Sequence, residues 1–173
     1  IIVSTNRGLA GSLNTNLFKA VSTHIAKRGG IKHFFATVGK KGRSFAANNG
    51  ELIADFSDEK DIGSVVSAVA KLITDGFTTE AYDAVYIVYS EFINALNQEP
   101  RIKQLLPISK LVLEEEKKRE HFEILGESSE KKVLEKSTEN YSYEPDAVTV
   151  LGNLLPFYLE IQIAESVYES DRQ

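Results

Sequence analysis

The first eighteen residues, IIVSTNRGLAGSLNTNLF, restrict the fold more than any other stretch of the chain. An apolar run, Ile1, Ile2 and Val3, gives way to Ser4-Thr5-Asn6-Arg7 and then to a glycine turn through Gly8 and Gly11. Leu13, Leu17, Phe18 and Val21 follow at helical spacing. The pattern predicts a buried strand, a sharp turn that glycine permits, and an amphipathic helix folded back on the strand. Ser12 or Asn14 is placed to cap that helix by accepting one of its orphan N–H groups. A strand–turn–helix of this kind opens a βαβ unit.

The rest of the chain repeats the alternation. The first helix should run over residues 12–27 and stop at Arg28-Gly29-Gly30, where glycine suits the left-handed C-cap. Residues 32–38 are apolar enough for a central strand. Gly39-Lys40-Lys41-Gly42-Arg43 reads as a basic, flexible loop, followed by a short helix over 44–48 and a short strand over 51–56. Ser57 or Asp58 should cap the next helix. Its apolar stripe is Ile62, Val65, Val66, Val69, Leu72 and Ile73, and it should stop at Asp75-Gly76. Residues 83–90, DAVYIVYS, form the strongest strand signal, and a further strand is expected over 101–106, before Pro107.

Beyond Pro107 the composition shifts. Residues 114–120 and 127–139 are charge-rich, so 112–142 is expected to be a solvated charged connection. Helical patterning resumes over 146–173, with Asp146 as its cap and Pro156 as an expected interruption. The order β-α-β-α-β-α-β-β, then the connection, then a long helix, predicts a single α/β domain over 1–173. The architecture is Rossmann-like and three-layered, with a mainly parallel sheet of about five strands and helices on both faces.

Several function classes are disfavoured. A formal net charge of −5 argues against nucleic acid as the main partner, because phosphate binding needs a dense basic surface. No apolar run approaches the roughly 20 residues of a membrane span, so direct insertion is not expected. Cysteine is absent, which removes thiolate metal sites and cysteine nucleophiles. His24, His33 and His121 have no histidine partner at metal-ligand spacing, and no GxSxG elbow is present. The turn at residues 8–11 could hold a phosphate on the helix N-terminus. It lacks the GxGxxG and GxxxxGK[ST] spacings, however, and a plain strand-to-helix turn explains it as well. The Lys40-Lys41 cluster could meet an anionic ligand or an acidic protein surface, although such clusters are more often solvated loops. No catalytic residue, cofactor site or metal site is expected. With no Met and an opening inside a core strand, the sequence also reads as a piece of a longer chain.

Asn6-Arg7-Gly8-Leu9-Ala10-Gly11-Ser12-Leu13-Asn14 resembles the signature of the gamma subunit of F-type ATP synthase. Val38-Gly39-Lys40-Lys41-Gly42, Tyr86-Ile87-Val88-Tyr89-Ser90-Glu91-Phe92, Leu105-Leu106-Pro107, Tyr143-Glu144-Pro145 and Leu154-Leu155-Pro156 are similar to later markers of that family, in the same order. Asn6 stands where the family typically has an acid, and Ala10 where it often has Cys. The resemblance implies the globular foot of a rotor stalk, lacking most of two long axle helices, with 146–173 the start of the C-terminal one. It implies no active site of its own and rotation transmitted between a proton-driven membrane ring and the catalytic hexamer. The implied partners are the epsilon subunit, the loops of the c-ring, and the alpha and beta subunits. Arg7, Gly8, Leu9, Ala10, Gly11, Lys40 and Lys41 are the implied contact residues, with Arg7 toward an acidic beta loop. The implied location is peripheral, on the cytoplasmic face of a bacterial inner membrane or the matrix side of the mitochondrial one. The competing expectation is a stand-alone nucleotide- or phosphate-binding α/β module.

Overall fold

The structure is a computed structural model that describes residues 1–4, 12–94, 97–107 and 147–172, with side chains in the last stretch from residue 154 onward. The chain divides into two compact units, residues 1–107 with 155–173, and residues 108–154. The expected connection at 112–142 and the Asp146 cap lie outside the described residues.

The first unit holds the sheet. Its strands are β1 (Ile2–Val3), β2 (Phe34–Val38), β3 (Glu51–Asp55), β4 (Val85–Asn94) and β5 (Asn97–Leu106), in spatial order β3-β2-β1-β4-β5. The β1–β2, β2–β3 and β1–β4 pairs are parallel, whereas β4 and β5 form an antiparallel pair with Asn94 opposite Asn97. The described helices are α1 (Leu13–Ala26), α2 (Lys40–Asn49), α3 (Ile62–Thr78) and α4 (Ala147–Asp171). A mainly parallel five-stranded sheet between helices is the expected three-layer α/β architecture.

β1 is only two residues long, yet it is the centre of the sheet. Ile2 and Val3 are buried, because a central strand has bonded neighbours on both sides and helices over both faces. Ile2 points into one layer with Leu17 and Val21 of α1, Phe35 of β2, Ala46 of α2 and Val88 of β4. Phe18 and Phe45 stack at 4.7 Å and join α1 to α2 over this face. Val3 lies on the opposite face and lines a cleft with Val65 of α3 and Val167 of α4. There Lys103 of β5 pairs with Glu165 of α4 at 3.8 Å.

Four local expectations are corrected. Helix α2 starts at Lys40 rather than Ser44, so the basic cluster is the first turn of a helix and not a flexible loop. Ser12 stands at the N-cap of α1 but makes no side-chain cap bond, because its φ of −82° and ψ of −3° are already helical. A capping hydroxyl instead needs extended backbone to fold back on the N–H groups. Asp61, with φ −88° and ψ 110°, caps α3 by accepting from the Ser64 N–H, so neither Ser57 nor Asp58 does so. Pro156 lies inside α4 without ending it. A proline removes one helical hydrogen bond, and here the buried face of Leu159, Ile163 and Val167 holds the next turns in place.

Candidate functional site

Arg7, Gly8, Leu9, Ala10 and Gly11 lie outside the described residues. Lys40 and Lys41 are exposed on the first turn of α2, at the carboxyl edge of the parallel strands. That edge is built tightly around Ser4, the residue after β1. The Ser4 N–H donates to the Val38 carbonyl at 2.8 Å. The Ser4 Oγ in turn accepts the Gly42 N–H at 2.9 Å, which seats the first turn of α2 against the end of β1. Gly39 makes the strand-to-helix corner with φ +90°, and a Cβ there would lie 2.0 Å from the Ser4 carbonyl oxygen. The marker Val38-Gly39-Lys40-Lys41-Gly42 is thus a structural corner that delivers two lysines to the sheet edge.

Beside it, Asp55 at the end of β3 gathers a small polar cluster. Its Oδ1 accepts from the Thr37 hydroxyl at 2.9 Å, from the Ser57 N–H at 3.1 Å and from the Ser57 hydroxyl. Arg43 of α2 approaches its Oδ2 at 3.3 Å. Burial works to raise the Asp55 carboxyl, but the donors Ser57 and Thr37 and the Arg43 guanidinium outweigh it and hold the group below its ordinary value. The cluster ties β2, β3 and α2 together. Sequence reasoning missed it because its members are scattered over positions 37–57.

A cleft of about 410 Å³ opens at this edge, lined by Ser4, Gly39, Lys40, the segment 57–60 and the end of α4. The carboxyl ends of parallel strands are where α/β folds commonly hold ligands. The charge around this cleft is mixed, with Lys40 and Lys60 set against Asp58, Glu59 and Asp171. Lys40 Nζ lies 4.0 Å from Asp58 Oδ1. No cluster of metal-ligating side chains occurs among the described residues.

A second surface lies on α4. Phe157, Ile161 and Tyr168 are 65%, 51% and 54% exposed, and their spacing puts them along one side of the helix. The opposite side, Leu159, Ile163 and Val167, is buried. Among the described residues, no helix is long and apolar enough to cross a membrane.

The family model described as ATP synthase matches residues 1–172. The ATP synthase gamma chain of Psychrobacter cryohalolentis is 32% identical over 98% of this chain, and that of Cupriavidus necator is 34% identical over the same share. In both cases the chain spans 55% of the relative's length. Among solved structures, the Tetrahymena thermophila mitochondrial ATP synthase central stalk and c-ring aligns with a TM-score of 0.61 and 19% identity, over 98% of this chain and 68% of that one. The Euglena gracilis mitochondrial ATP synthase rotor aligns with a TM-score of 0.54 and 17% identity, over 98% of this chain and 59% of that one. These two likenesses concern the fold. The sequence matches settle the kinship: this chain belongs to the ATP synthase gamma-chain family.

Proposed function

We propose that this chain is the globular foot of the central rotor stalk of an F-type ATP synthase. In this reading it transmits rotation between the membrane ring and the catalytic alpha/beta hexamer, and it makes or breaks no bonds itself. The observation that carries the proposal is the gamma-chain kinship, which runs through nearly the whole sequence. Two structural features support it. A torque-bearing part must be stiff, and the packed layers on either side of β1 provide stiffness. α4 leaves Phe157, Ile161 and Tyr168 uncovered on one side, as the root of an axle helix would before its partner helix packs on it.

The partners in this account are the epsilon subunit, the polar loops of the c-ring, and the alpha and beta subunits. The turn at residues 7–11 and the lysines at 40 and 41 are the proposed contacts, with Arg7 facing an acidic beta loop. The foot is peripheral to the membrane, on the cytoplasmic side in a bacterium or the matrix side in a mitochondrion. The test is calorimetric titration of the full chain with the epsilon subunit of the same source, with ATP and NAD as controls. Saturable binding to epsilon without a nucleotide response supports the stalk. A nucleotide signal with no epsilon binding would instead favour a ligand module using the cleft beside Gly39.

A further inference from the structure

The carboxyl-terminal turn of α1 is fastened to β4 by three side chains that the rotor reading does not use. Arg28, just beyond α1, places its Nη1 3.2 Å from His24 Nδ1 and donates from Nη2 to the Tyr86 hydroxyl at 3.3 Å. The guanidinium carbon lies 5.2 Å from the Tyr86 ring centroid. The His24 ring meets the same tyrosine edge-on, with centroids 4.6 Å apart. Arginine can only donate hydrogen bonds, so His24 Nδ1 must accept, and the ring's single proton must sit on Nε2. That Nε2 is buried and has no acceptor within hydrogen-bond reach. The Arg28 contact therefore stands only while the imidazole is neutral. A second proton on Nδ1 would set donor against donor at 3.2 Å.

We propose that His24, Arg28 and Tyr86 form a proton-sensitive clasp that holds the end of α1 to β4, closed with the His24 ring neutral and released when the ring takes a second proton. The surroundings favour the neutral ring. Burial comes first, and the positive charges of Arg28, His33 and Lys27 add to it, so His24 titrates below its ordinary value of 6.5. Tyr86 is the titratable group that β4 presents to the ring. On β5, which also packs against α1, Ile102 and Gln104 lie opposite Val88 and Tyr86, and neither titrates. The helix carbonyls near the end of α1 favour a cation. The direct donor conflict and the loss of solvent oppose it. The clasp thus adds stability above the ordinary histidine value and loses it as pH falls through the lowered one.

The experiment is a histidine-selective nitrogen NMR titration of the full chain, folded and in urea, with hydrogen exchange read at the end of α1. The His24 midpoint is expected to lie lower in the folded chain than in urea. Arg28→Met should raise it, because one of the positive charges that oppose the protonated ring is removed. The Lys27 and Arg28 amides, which donate to Thr23 and Ile25, should lose protection on acidification to about pH 5 in the unmodified chain, with each rate taken relative to the intrinsic exchange rate at that pH. In His24→Asn, whose Oδ1 is bonded to Cγ as the histidine Nδ1 is and so can accept from Arg28 without titrating, that loss of protection should disappear. A folded midpoint equal to or above the urea value would overturn the proposal. So would an acid-induced loss of protection that persists in His24→Asn.

Discussion

At single residues, the most constrained positions are those where a missing side chain or a fixed charge holds two elements together. Gly39 is one. Its φ of +90°, and the 2.0 Å that would separate a Cβ from the Ser4 carbonyl oxygen, leave no room for a side chain. Gly39→Ala should therefore destabilise the fold by at least about 2 kcal/mol in denaturant unfolding. Gly76 is another, with the Tyr82 ring seated where its Cβ would be, 1.9 Å from Cε2. Gly76→Ala should cost about 1–3 kcal/mol alone and much less in a Tyr82→Ala background, where the obstruction is gone. Asp55 carries the clearest pH signature. Its folded carboxyl is held below the ordinary 3.8, so its contribution is fully present above that value and is lost as pH falls through the lowered one. Asp55→Asn should cost about 1–3 kcal/mol near neutral pH, a difference that shrinks in acid as the unmodified carboxyl protonates. Unfolding curves of both chains across this range would show a constant difference if the cluster were inert.

At the scale of elements, α1 and the short β1 are held by the same buried layer. Leu17 is fully buried there, so Leu17→Ala should lose about 2–5 kcal/mol. The capping contrast is sharper. Asp61→Ala should lower the melting temperature because Asp61 accepts the Ser64 N–H, whereas Ser12→Ala should not, because its hydroxyl makes no cap bond. Equal effects from the two substitutions would contradict this. The element order is legible in the sequence because apolar spacing changes from strand to helix at each boundary. The boundaries are less so. Ser57 has the residue type and position of a cap, but its N–H and hydroxyl are both committed to Asp55, which passes the role to Asp61. Two glycines around Lys40-Lys41 resemble loop punctuation, whereas the first is a corner and the second lies inside α2, its N–H held by Ser4. The antiparallel course of β5 follows from the close hairpin at Asn94 and Asn97, which strand-by-strand propensity does not show. Of the candidate contact residues, the lysine pair can be placed at a strand end from the sequence, but its position on the first turn of α2 cannot. The exposed side of α4 depends on which of its apolar faces the sheet covers, and that is a tertiary fact.

For the whole molecule, the exposed line of Phe157, Ile161 and Tyr168 has two consequences. In isolation, these 173 residues should self-associate weakly through it, and Phe157→Lys with Ile161→Lys should give a monomer of unchanged unfolding midpoint. Sedimentation at high concentration that finds the unmodified chain monomeric would contradict this. In an assembled complex the same line would be covered by the partner axle helix, and the domain would turn with the axle. The most direct measurement attaches a bead to the full chain in its reconstituted complex, immobilised by the alpha/beta hexamer, and watches it during ATP hydrolysis. Cysteine is absent from residues 1–173, so Ser67→Cys on the exposed side of α3 supplies an attachment point within this domain. The account predicts continuous rotation in one direction that stops when ATP is withdrawn. A domain that stays fixed relative to the hexamer while ATP is hydrolysed would contradict its assignment to the rotor.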